Sequence, residues 1–151
     1  MTKLVTQAGY NKLKEEIEHR KTTVRQEIAQ AIKEAKEQGD LSENAEYSEA
    51  KSQQTENETR IAQLEILIKE AKIVEKSSSS DAVQIGSSVK VQSDGKEVTF
   101  HIVGSNEADP GEYKISNESP IGKALLGKTK GDKAEVETPG GKMSYRIISI
   151  S

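Results

Sequence analysis

The chain has 151 residues, a net charge of −3, 32% hydrophobic and 31% charged residues, and no cysteine. Disulfide and thiol chemistry are thereby excluded, and there is no overall basic field of the kind that holds nucleic acid. No apolar run approaches the roughly 20 residues of a membrane span. The opening MTKLVTQAGY has no signal-type apolar core, so the expected setting is soluble and cytoplasmic, with no membrane partner.

The first predicted element is a helix that opens at Thr6 or Gln7 and is closed by Gly39, which suits the left-handed conformation just past a helix. Its apolar positions are Tyr10, Leu13, Ile17, Val24, Ile28, Ala31 and Ala35. The second runs from about 41–43 to about Glu75, with a seam of Tyr47, Ala50, Gln54, Asn57, Ile61, Leu64, Ile68 and Ala71. Those positions alternate spacings of three and four, the pattern of a coiled-coil seam. Folded antiparallel about a turn near residue 41, one register serves both helices. Ala35 meets Tyr47, Ala31 meets Ala50, Ile28 meets Gln54, Val24 meets Asn57, Ile17 meets Leu64 and Leu13 meets Ile68. At about 1.5 Å per residue each arm is roughly 45 Å long. Gln54 and Asn57 are polar seam positions, and register control is the expected role.

The composition changes after Glu75. Nine glycines, all three prolines and the single Phe follow it. Lys76–Asp81, KSSSSD, has the composition of a short flexible linker. Beyond it Val89/Val91, Val98/Phe100/Ile102, Ala134/Val136 and Met143/Tyr145/Ile147 alternate with polar residues, as strands do. Pro139-Gly140-Gly141 marks a turn, and Ser119-Pro120 opens a short helix that Gly127 closes. The expected class is α+β. Residues 1–75 form an antiparallel helical hairpin (coiled coil), 76–81 a linker, and 82–151 a small domain with a twisted antiparallel sheet and one short helix. Charge does not divide the halves: residues 1–76 carry 13 basic and 15 acidic groups, and residues 77–151 carry 9 and 10.

The midpoint of the hairpin concentrates the chemistry. Residues 37–49, EQGDLSENAEYSE, hold Glu37, Asp40, Glu43, Glu46 and Glu49 with no Lys or Arg. Such a tip repels itself unless something meets it. Asp40 and Glu43 admit two readings. They have the spacing of an N-cap and N3 pair at the start of the second helix. They are also two carboxylates of a partial Mg²⁺ site, which another molecule would have to complete. An EF-hand loop fits poorly, because Ala45 stands where its glycine is needed and Lys51 where its bidentate glutamate belongs. Lys36 and Lys51 flank the acids, as solvated lysines or as a small basic patch for a nucleic-acid backbone. Neither His19 nor His101 lies in the segment, and the chain has no nucleophile–histidine arrangement and no phosphate-cradling glycine loop. Self-contained enzyme chemistry is not expected. Phe100, Tyr113 and Tyr145 are too few for an aromatic-lined isomerase pocket and are expected to pack in the core.

At Glu34–Gln54 (EAKEQGDLSENAEYSEAKSQQ), Ile102–Pro110 (IVGSNEADP), Ile115–Lys128 (ISNESPIGKALLGK) and Thr138–Lys142 (TPGGK) the chain resembles the Gre-type transcript-cleavage factors of bacterial RNA polymerase. The resemblance covers essentially the whole chain. It departs from many family members at Gln26, where they carry proline. It implies a coiled coil that enters the polymerase secondary channel and a second domain, similar in fold to FKBP-type domains, that docks at the channel rim. It implies that Asp40 and Glu43 help hold a second Mg²⁺ beside the polymerase's own, with Asn44, Glu46 and Tyr47 as supporting tip residues and Lys36 and Lys51 near RNA. Cleavage of backtracked RNA near its 3′ end would follow, with nascent RNA and template DNA as further partners and a monomer as the acting form. The intact acids argue against a cleavage-silent member with an altered tip. The few flanking lysines argue against a member with a large basic patch along the coil. A coiled-coil adaptor with no metal role is the alternative from another class, and its activity would be indifferent to the tip acids.

Overall fold

The computed structural model describes residues 2–40, 44–78 and 80–151. Two compact units form, Asn11–Glu70 on one side and Met1–Tyr10 with Ala71–Ser151 on the other. The fold is α+β, but this division differs from the one expected at 75 and 82. The reason is a short parallel pair: β1 (Lys3–Val5) lies beside β2 (Ala71–Ile73), with Leu4 opposite Lys72. Val5 is fully buried, and Leu4 and Val74 pack against the core of the sheet unit. The second long helix therefore stops at Glu70 rather than near Glu75. The serine run does not join the units either. Both the N–H and the C=O of Ser77 bond the Gln84 side chain, each at 2.8 Å, within the sheet unit. The chain passes between the units at residues 10–11 and 70–71.

In the hairpin, α1 (Gln7–His19) continues through a π-helical turn (Arg20–Val24) into α2 (Arg25–Glu37), and α3 (Ala45–Glu70) is the returning arm. The helical start at Gln7 and the left-handed Gly39 (φ +118°) match the sequence reading. The π turn was not foreseen. A π turn carries an extra residue per turn and bonds i to i−5, and here the N–H of Arg25 reaches the Arg20 carbonyl. Asn57 of α3, only 3% exposed, uses that turn. Its Nδ2 donates to the Arg20 carbonyl and the Arg20 guanidinium donates to its Oδ1, both at 3.1 Å. A buried amide with both ends bonded fixes the two arms in one register, since any slip would leave it unsatisfied. It reaches Arg20, one turn before the Val24 named by the seam pattern.

Below this point the seam is apolar. Leu13, Ile17, Ile61 and Leu64 are buried together, with Leu67 and Ile68 alongside. Glu16 sits beside them with two arginines. Arg60 donates to both its oxygens (2.9 and 3.0 Å) and Arg20 to Oε2 (2.7 Å). The Arg60 hydrogen bonds, aided by Arg20 and opposed by burial, hold the Glu16 carboxyl down to about 2. Arg25 and Glu58 form a two-pronged pair across the arms at 2.7 and 2.9 Å.

Besides the β1–β2 pair, the described residues of the sheet unit form a five-stranded sheet in the order β5-β4-β3-β7-β6, with β3 at Ser88–Ser93, β4 at Lys96–Val103, β5 at Lys114–Ser116, β6 at Lys133–Thr138 and β7 at Gly141–Ile150. Neighbours run antiparallel except β4 and β5, which are parallel. Asp94-Gly95, with φ of 51° and 77°, turns β3 into β4, because a two-residue hairpin loop needs positive φ at both positions. Pro139-Gly140 turns β6 into β7, as expected. The short helix α4 (Pro120–Leu125) is capped by Ser119, whose hydroxyl accepts the N–H of Gly122 at 3.0 Å. The alternating residues Val89, Val91, Phe100, Ile102, Ala134, Val136, Tyr145 and Ile147 face one core with Leu125. Phe100 and Tyr145 are buried edge to face, 5.8 Å between ring centres. Tyr113 departs from the core expectation: it is 52% exposed and has a left-handed backbone. Among the described residues no helix is long and apolar enough to cross a membrane.

Candidate functional site

Among the described residues of the tip, Asn44 bonds both arms. The helix α3 starts at Ala45, and the Oδ1 of Asn44 accepts the N–H of Tyr47 at 3.0 Å, the bond of an N-cap to N3. Its Nδ2 donates to the Ala35 carbonyl at 2.7 Å, in the last turn of α2, where few backbone donors remain for the carbonyls. A single amide thus closes the end of one arm and opens the other. The expectation that Asp40 caps the second helix with Glu43 at N3 is not what fixes α3 from Ala45: that cap is Asn44. Glu43 itself lies outside the described residues.

Gln38 continues the last turn of α2 through its N–H to the Ala35 carbonyl at 3.2 Å, and Gly39 then reverses the chain. Asp40 follows directly and is exposed, as are Glu37, Glu46 and Glu49. Tyr47 is half-buried at the first turn of α3, and Ala35 and Ala50 are buried below it. The structure thus brings Asn44, Tyr47 and Ala35 together. Lys36 and Lys51 are both exposed, one on each arm, and the Lys51 ammonium donates to Gln54 Oε1 at 2.8 Å. Below them a small cleft of about 280 Å³ is lined by Arg25, Ile28, Gln54, Asn57 and Glu58, where the polar seam fails to fill the space.

Carboxylate oxygens are the donors Mg²⁺ prefers, and the ion ordinarily takes one or two from a protein and completes its shell with water or other oxygens. An exposed Asp40 on a braced turn fits that use. Among the described residues no group of three or more His, Cys, Asp or Glu is placed to hold a metal. Sequence reasoning gave Asn44 no capping role. The signal that would have found its capping role is local: an Asn directly before a run of good helix formers.

A family model described as Transcription elongation factor, N-terminal, matches residues 3–73, and one described as Transcription elongation factor, GreA/GreB, C-term, matches residues 78–151. The chain is 49% identical over 150 residues to the transcription elongation factor GreA of Acetivibrio thermocellus, covering 97% of this chain and 94% of that protein. It is 51% identical to the GreA of Thermoanaerobacter pseudethanolicus, covering 97% and 96%. Among solved structures, the GreA factor homolog 1 (Gfh1) of Thermus thermophilus is 31% identical with a TM-score of 0.46, over 100% of this chain and 99% of that one.

Proposed function

Because the chain belongs to the GreA/GreB family of transcription elongation factors, we propose that its hairpin tip carries Asp40 and Glu43 to the active centre of bacterial RNA polymerase. There it stimulates Mg²⁺-dependent cleavage of backtracked nascent RNA near the 3′ end and frees arrested complexes. The chain acts as a monomer in the cytoplasm and is not itself the enzyme: it lends carboxylates to a centre whose remaining ligands belong to the polymerase. When bound, the metal supplies a Lewis acid and activates a water for hydrolysis.

This chain's residues have separate duties in that reading. Asp40 and Glu43 offer hard oxygen donors to the ion. Asn44 ties the end of α2 to the start of α3, through its bonds to the Tyr47 N–H and the Ala35 carbonyl. Glu46 adds negative charge within the first turn of α3, and Tyr47 packs beneath the turn. Lys36 and Lys51 contact the phosphate backbone of RNA, and template DNA lies in the same complex.

The observation that carries the reading is Asp40, exposed directly after Gly39, at the end of the hairpin where Asn44 bonds both arms. An exposed carboxylate beside a braced helix end is what a donated ligand needs. The test is RNA cleavage in halted elongation complexes with Mg²⁺ and the Asp40→Asn/Glu43→Gln variant. The variant is expected to bind polymerase and to leave cleavage at its unstimulated rate. Cleavage stimulated to the wild-type extent would refute the metal role and favour an adaptor.

A further inference from the structure

The start of helix α1 has an incomplete set of caps. Thr6 is its N-cap residue, and its hydroxyl accepts the N–H of Gly9 at 3.0 Å. A capping box pairs such a threonine with a Glu or Gln at N3, whose side chain accepts the N–H of the cap residue itself. Position N3 here is Gly9, which has no side chain. The missing acceptor comes from 101 residues away: Oε2 of Glu107 accepts the Thr6 N–H at 3.0 Å, and the Thr6 hydroxyl donates to Oε1. The same Oε2 accepts the Gly104 N–H at 3.2 Å. All these residues belong to the sheet unit.

The fit is close enough to dictate two glycines. A Cβ on Gly9 would lie 2.2 Å from Cδ of Glu107, so a side chain at N3 and the Glu107 carboxyl cannot share the space. A Cβ on Gly104 would lie 2.1 Å from the carbonyl oxygen of Leu4, in strand β1. On its other side β1 is held by β2, and the Val74 N–H bonds the Val5 carbonyl at 2.9 Å. A carboxylate at a helix N-terminus is also favoured by the helix dipole.

We propose that Glu107 completes the capping box of α1 in place of the absent N3 side chain, so that strand β1 and the first turn of α1 are fastened and released together as one strap. An ordinary capping box stabilises its own helix wherever that helix goes. This one forms only when residues 3–9 lie against the loop that carries Gly104 and Glu107. The helix start and the β1–β2 pairing therefore share one switchable contact, and any partner that draws the Glu107 carboxylate away would loosen both.

Amide hydrogen exchange on the full chain tests this. Replacing Glu107 by alanine removes a charged acceptor, and the N–H groups of Gly9 and Tyr10 in the helix start and of Val74 beside β1 are expected to exchange about tenfold faster, in concert. In Gly9→Glu/Glu107→Ala the carboxylate returns to N3. The helix start is expected to regain protection while Val74 stays fast. If E107A leaves Val74 at its wild-type rate, or if the double variant restores both sets, there is no shared strap. Should E107A not fold, E107Q fills the same volume and keeps one acceptor oxygen. A smaller acceleration at both sets then supports the proposal, and acceleration at neither overturns it.

Discussion

The two ends of the helical hairpin are built on different principles. Near the base, Leu13, Ile17, Ile61 and Leu64 bury apolar surface, and Glu16, Arg20 and Arg60 form a charge network on the flank. Toward the tip the seam shrinks to Ala35 and Ala50, and the backbone ends are closed by one asparagine amide. Apolar burial stabilises by roughly 25 cal/mol per Å², so the base carries most of the hairpin's stability. The segment at the tip carries five acids and no Lys or Arg, charges that repel one another. A tip held by backbone capping needs little apolar packing, and Glu37, Glu46 and Glu49 there are exposed.

The contrast can be broken by mutation. Leu64→Ala, at a fully buried base position, is expected to cost about 2–5 kcal/mol in urea unfolding. Asn57→Ala should follow at about 2 kcal/mol, because it removes two cross-arm hydrogen bonds, one of them to a charged group. A loss below about 0.5 kcal/mol would show that water replaces the amide and that the π turn needs no lock. Asn44→Ala is expected to cost about 1 kcal/mol, the usual value of an N-cap. Asn44→Asp keeps the acceptor for Tyr47 but loses the donor to Ala35, so it should recover part of that loss.

The Glu16 network gives a pH signature. Its folded pKa, about 2, lies below the ordinary 4.5, so its contribution is full above pH 4.5 and is lost as pH falls toward 2. With a third of the side chain exposed, screening reduces that contribution to about 1 kcal/mol. Glu16→Gln should therefore lower Tm at pH 7, and the gap from wild type should close between pH 4.5 and 2. A gap that persists at pH 2 would point to packing rather than charge. The smallest stability effect is expected at Asp40→Asn, within about 0.5 kcal/mol, because the residue is exposed and Asn retains an acceptor oxygen.

Much of this was legible in the sequence because it is local or periodic. The seam of α3, the Gly39 stop, the Ser119-Pro120 helix start and the Pro139-Gly140 turn each follow from a few neighbouring residues. What was missed depends on partners far along the chain. Strands β1 and β2 have three residues each and become strands only by pairing across 68 positions, Lys3 with Ala71. Ala71-Lys72-Ile73 continues the apolar pattern of the helix before it, which is why the helix was expected to run on. The π turn has no motif of its own; its partner Asn57 was visible as a polar seam residue, but its target was not. At the tip, residue types marked the site, while the bracing by Asn44 needed Ala35 to be placed beside it. Glu107 had no local signal beyond a glycine at N3 of α1.

The central claim is that the tip lends a metal ligand rather than a shape. It is tested most directly by the Mg²⁺ dependence of RNA cleavage in halted elongation complexes, with wild-type protein and with Asp40→Asn. Wild type is expected to lower the Mg²⁺ concentration needed for half-maximal cleavage, and Asp40→Asn to raise it again by at least about 10–100-fold, the loss seen when only an outer partner of a metal ligand is removed. If Asp40→Asn lowers the Mg²⁺ requirement as far as wild type does, Asp40 is not a ligand and the account fails.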